Sequence, residues 1–125
     1  MFHDAFVSRF VAQETGLVIE VDEFSFSSNE TMPPARIVIA GARCIIRNDE
    51  IVGAFEVESG DAEINDLYPY PNGVRLVLFW HQGNPRAPAH CCGYRFPGAT
   101  LHIEALSGGP LVPVRTSEPD DEGGT

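Results

Sequence analysis

The chain has 125 residues, the size of one ordinary domain, with 43% hydrophobic residues. That composition excludes a disordered chain, and no apolar run approaches the roughly 18 residues that a bilayer crossing requires. Eight basic residues stand against eighteen acidic ones, for a net charge of −10. All of the bases are Arg. Such a surface repels nucleic acid, which is held by displacing counterions with Lys and Arg, and it favours a basic partner.

The first segment, AFVSRFVA (5–12), reads as a strand with both faces partly apolar. The turn signal at 13–16 and the β-prone run LVIEVDEFSF (17–26) complete a hairpin. Leu17, Ile19 and Val21 share one parity and Phe24 and Phe26 the other. Period 2 is strict in a regular strand, so a bulge is expected near Asp22–Glu23. Residues 27–34 read as a loop ending in a Pro pair.

ARIVIAGARCIIRN (35–48) reads as a central strand region, with Gly41 marking a bend. A turn at 48–50 returns the chain as a strand over IVGAFEVES (51–59), and AEINDLY (62–68) follows as a short extended segment. The AsnGly turn at 72–73 leads into GVRLVLFWHQ (73–82), the clearest strand. Val74, Leu76, Leu78 and Trp80 form its core face, and Arg75, Val77, Phe79 and His81 the other.

A loop over 83–89 precedes strands at HCCGYRF (90–96) and ATLHIEAL (99–106), the latter with Leu101, Ile103 and Ala105 inward. Eight or so short strands without a long helix predict an all-β fold, an antiparallel β-sandwich or small barrel. The expected domain spans 1–106. The acidic remainder, 107–125, is expected to be a flexible, disordered tail.

Cys44, Cys91 and Cys92 make an odd set with two neighbours on opposite strand faces, a poor disulfide framework. Reduced thiols, a cytoplasmic location and no secretory signal are therefore expected. His81, His90, Cys91 and Cys92 are the weak candidates for metal ligands. Their spacing, two His with eight residues between them followed at once by two Cys, is not that of a zinc motif, and no cofactor is expected.

Phosphate-binding, nucleophile-elbow and metalloprotease motifs are all missing, so the expectation is a protein that is not an enzyme. His3 and Asp4 are adjacent, which sends their side chains apart and disfavours a catalytic dyad. Phe2, His3 and Asp4 read instead as a structural anchor at the start of the fold.

Seven carboxylates fall between 49 and 66 without a base among them. Glu56 and Glu58 would lie on one face of a strand, about 7 Å apart. Either a solvated sheet face or an acidic recognition surface fits this pattern. The expected partner contacts are Glu56, Glu58, Asp61, Glu63 and Asp66.

The opening Phe2-His3-Asp4-Ala5, then a hairpin, an acidic segment like GDAEINDLY, and GVRLVLFWH followed by GYRFPGATLHIEAL, resembles small bacterial β-rich proteins. These begin with a similar F-H-D-A segment, and some are grouped with the immunity proteins of polymorphic toxin systems. The resemblance implies a non-enzymatic protein that binds and blocks a basic partner, such as a toxin or a nucleic-acid enzyme. Three alternatives stand beside it: a phage-encoded inhibitor that mimics nucleic acid, a small-ligand or metal-binding β-barrel, and a homodimer paired through open strand edges.

Overall fold

The computed structural model describes residues 2–3, 5–26, 31–58, 61–81 and 90–112, with residues 2, 3, 25 and 26 described for the backbone alone. The expected anchor residue Asp4, the side chains of Phe2 and His3, and the expected tail from 113 onward lie outside what is described. The fold is all-β and antiparallel throughout. Among the described residues no helix is long and apolar enough to cross a membrane.

The strands in chain order are β1 (Phe2–His3), β2 (Ala5–Gln13), β3 (Gly16–Val21), β4 (Phe24–Phe26), β5 (Thr31–Met32) and β6 (Ala35–Ala40). Then come β7 (Ile45–Arg47), β8 (Glu50–Val52), β9 (Asp61–Tyr70), β10 (Gly73–His81), β11 (His90–Pro97) and β12 (Thr100–Ala105). The pairing order is β12-β6-β3-β2-β9-β10-β11-β7-β8, with β1, β4 and β5 forming a branch off β9. Two sheets result, and β2 belongs to both. Its Ala5 and Phe6 pair with Ile64 and Glu63 of β9, while Val7 to Gln13 pair with β3.

The crossing point is a register shift between Val7 and Arg9. A bulge bends its strand and adds twist, which is how a strand turns the corner from one sheet to the next. It also moves the side chains beyond it to the opposite face. Phe6 therefore points to solvent at 52% exposure, whereas Phe10 packs against the core. Ser8, inside the shift, donates its hydroxyl to the Glu20 carbonyl at 3.1 Å.

Several turns follow from local chemistry. Asn48 and Asp49 join β7 to β8 with φ of 49° and 70°. Asn and Asp tolerate this left-handed region better than other side chains, and consecutive positive φ values suit a tight hairpin. Gly41, at φ 82°, ends β6 and splits the expected long strand into β6 and β7. Asp22 and Glu23, the expected bulge, are a break between β3 and β4 that sends β4 to the other sheet. Residues Thr31 and Met32, expected in a loop, form β5.

The core lies between the sheets. Leu17, Ile19, Ile37 and Ile39 supply one side, and Ile64, Leu76, Leu78, Trp80, Tyr94 and Phe96 the other, all essentially inaccessible to solvent. Trp80 occupies the expected core position. The expected strand over 51–59 is a correction: only β8 pairs, and residues 53–58 have no regular secondary structure. They carry Phe55 into the core, where its ring lies 5.3 Å from Phe10 and 5.1 Å from Tyr94. Beyond β12 the chain stays packed, with the Ala105 amide donating to the Gly109 carbonyl and Leu111 against the core.

Candidate functional site

Glu58 follows Phe55 out of the core and ends beside β11. There His90 and Cys92, two residues apart on one strand, project on the same side. The Cys92 thiol donates to Glu58 Oε2 at 3.3 Å, and His90 Nε2 lies 3.5 Å from Glu58 Oε1. The ligand atoms of Glu58, His90 and Cys92 all lie within 4.8 Å of one another. Cys92 is fully buried, Glu58 is largely covered and the His90 side chain is 49% exposed, so the group opens to solvent on the His90 side.

The hairpin of β7 and β8 supplies the rest. Arg47 Nη2 donates to Glu58 Oε2 at 2.6 Å and approaches the Cys92 sulfur at 3.7 Å. These bonds, first to Cys92 and then to Glu58, hold the guanidinium further toward its charged form than usual. Asn48 fixes the hairpin to β11. Its amide and side-chain oxygen form a pair of hydrogen bonds with Gly93, at 2.8 and 2.9 Å. Its Nδ2 lies 3.9 Å from the Cys92 sulfur.

Beneath the cluster lie Tyr94 and Trp80. Burial, with a contribution from neighbouring Cys92, pushes the Tyr94 phenol up to about 12. The Tyr94 hydroxyl lies against the Trp80 and Cys92 side chains, but among the described residues neither it nor Trp80 Nε1 makes a hydrogen bond of ordinary geometry. The order of groups, with the carboxylate between thiol and imidazole, differs from a Cys-His dyad, where the imidazole must face the sulfur. The thiol here is a buried donor to a carboxylate that Arg47 already neutralises.

The candidate residues therefore separate into two places. Of the candidate metal ligands, His90 and Cys92 converge with Glu58, while Cys91 is exposed on the other side of β11 and His81 bonds Glu63 at 2.9 Å. Of the expected partner contacts, Asp61, Glu63 and Asp66 share the outward side of β9, and Asp66 accepts the Leu67 amide at 3.0 Å. Glu56 is exposed but, like Glu58, lies on the irregular segment and not on a strand. Arg47 and Asn48 were not legible as site residues, because their only sequence signal is a turn.

The seam where β2 parts from β9 forms a second surface. Phe6 pairs with Glu63, and its ring centroid is 6.3 Å from that of His81. Asp61, opposite His81, lines a cleft of about 280 Å³ together with Val57, Ser8 and Arg9. Val57 is 58% exposed. At the far end of β10, a groove of about 680 Å³ is lined by Tyr70, Leu101 and Ile103, with Arg43 its charged group. No protein-family model, curated protein or solved structure matches this chain.

Proposed function

We propose that the protein is a non-enzymatic binding module, of the immunity type in its mode of action, that engages a basic protein partner through the seam between β2 and β9. The observation that supports this reading best is an exposed aromatic side chain set among carboxylates. Phe6, half exposed, pairs with Glu63, and the cleft beginning at the next residue, Val7, is lined by Asp61 and exposed Val57. Apolar anchors inside a polar rim are how interfaces concentrate their affinity, and the surrounding charge sets the approach rate and the choice of partner. A net charge of −10 steers toward a basic surface.

The experiment is capture from lysate of the source cell, at low salt, by the wild-type chain and by Asp61→Asn/Glu63→Gln/Asp66→Asn, with retained proteins identified by mass spectrometry. The wild type should retain a basic protein that elutes as salt rises. The triple variant, folded by circular dichroism, should lose that protein. Equal retention by both chains would sink the reading.

A further inference from the structure

We propose that Glu58, His90 and Cys92 form a binding site for a borderline-soft divalent cation of the zinc class, and that Arg47 holds the site when the cation is absent. The donor set is one carboxylate, one imidazole and one thiol, a mixed set suited to zinc and unsuited to magnesium or calcium, which take oxygen donors.

The spacing nearly fits. Zinc bond lengths of about 2.0–2.1 Å to O and N and about 2.3 Å to S, placed at tetrahedral angles, give ligand-to-ligand edges of about 3.3–3.6 Å. Cys92 Sγ lies 3.3 Å from Glu58 Oε2 and His90 Nε2 lies 3.5 Å from the other oxygen, Oε1, so the two oxygens face different ligands and a set with one atom from each residue must contract by about 1 Å to reach those edges. All three donor atoms fall within 4.8 Å. Small rotamer changes at the half-exposed His90 and at Glu58 would bring the set to one point. The backbone is fixed independently, because β11 pairs with β10 on one side and with β7 on the other.

Arg47 competes with a cation for the same donors. Its guanidinium supplies positive charge at 2.6 Å from the carboxylate and 3.7 Å from the sulfur, where a cation would also sit. The Arg47 side chain is 39% exposed and borders a cavity of about 390 Å³ that contains Glu56. Arg47 can therefore turn from Glu58 into that cavity, toward a second carboxylate, as the metal enters. One Zn–S bond forms as the Cys92 S–H proton leaves to solvent, and no electron changes hands. The protein supplies three donors, and the fourth position is left for water or an external ligand.

The test uses the full chain without a histidine tag, stripped with chelator and titrated with Co²⁺ and then Zn²⁺. Cobalt should bind one per chain with a thiolate charge-transfer band in the near ultraviolet, and zinc should displace it. His90→Ala removes an exposed ligand without disturbing the core, and should weaken zinc binding by about tenfold or more, since even outer-shell substitutions cost that much. Cys92→Ser should abolish the charge-transfer band, with folding followed by circular dichroism.

Arg47→Gln should tighten binding by removing the competing charge. Cys91→Ser and His81→Ala should leave it unchanged. The absence of a charge-transfer band in wild type, or unchanged affinity in His90→Ala, would overturn the site. Unchanged or weakened binding in Arg47→Gln would overturn the exchange with Arg47. Loss of binding in Cys91→Ser or His81→Ala would place the metal elsewhere and overturn the assignment.

Discussion

The rings of Phe55 and Tyr94 lie 5.1 Å apart and inclined at 49°, although Phe55 belongs to a segment with no regular secondary structure. One irregular crossing thus completes the core and also delivers Glu58 to Cys92. Phe55→Ala should cost about 3–5 kcal/mol, the usual range for an aromatic truncated in a core, read as a fall in the urea midpoint. The same variant should weaken zinc binding, because Glu58 loses the anchor three residues before it. Full stability with Phe55 removed would show that the crossing is not a structural plug.

Tyr94 and Trp80 offer a test of opposite sign. The Tyr94 hydroxyl is buried against Trp80 and Cys92, with no hydrogen bond of ordinary geometry among the described residues. A buried polar group without a partner is destabilising by about 1–3 kcal/mol, so deleting it relieves that penalty. Tyr94→Phe should leave stability unchanged or raise it by about 1 kcal/mol. Tyr94→Ala should cost several times more through the cavity it leaves. A marked loss in Tyr94→Phe would reveal a partner for the hydroxyl, such as a bound water.

The alternation of Val74, Leu76, Leu78 and Trp80 was legible because β10 is regular and two-sided, with neighbours β9 and β11 along its length. Residues 53–58 alternate almost as well, but they have no strand to pair with. Periodicity alone could not tell a ladder from a crossing. Phe6 and Phe10 share a parity and so read as one face, until the shift after Val7 separates them. Part of the site was legible as well: His90 and Cys92 share a side by spacing alone. Glu58, 34 residues from Cys92, and Arg47, 45 residues away, arrive through tertiary packing that no local pattern encodes.

Gly16 begins β3 against β6, and a Cβ there would overlap the Ile39 carbonyl group. Gly16→Ala must push β6 outward or break the pairing between Leu17 and Ile39. Overpacking of this kind destabilises by about 1–3 kcal/mol. Urea unfolding should show the midpoint falling, and hydrogen exchange should show faster amide exchange across β3 and β6. Protection left intact in those strands would contradict the close approach.

Glu104 contributes to the acid limb. His102 first, then Arg36, hold its carboxyl below the ordinary value of 4.5. A carboxylate with a lowered native value stabilises the fold above its unfolded value and loses that contribution as pH falls through the native one. Wild type should therefore lose stability below about pH 4.5, and Glu104→Gln should show a shallower slope in that window. Because the Glu104 side chain is partly exposed, at 32%, added salt should shrink the difference. Parallel pH profiles at low salt would exclude a contribution from this cluster.

Phe6 and Phe10, on one strand, should behave as opposites. Phe10 packs within 5.3 Å of Phe55 and 5.4 Å of Trp80. Phe10→Ala should cost about 3 kcal/mol, the low end for a core aromatic because Phe10 is only partly covered. Phe6 is 52% exposed on the outward side, so Phe6→Ala should change stability by less than about 0.5 kcal/mol. If the seam between β2 and β9 is the binding surface, Phe6→Ala should nonetheless weaken capture of the basic partner, chiefly by speeding dissociation. The charge-neutralised triple variant should instead slow association. Two variants with separate kinetic signatures and undiminished stability would locate the interface at the seam; unaltered dissociation in Phe6→Ala would remove the aromatic anchor from it.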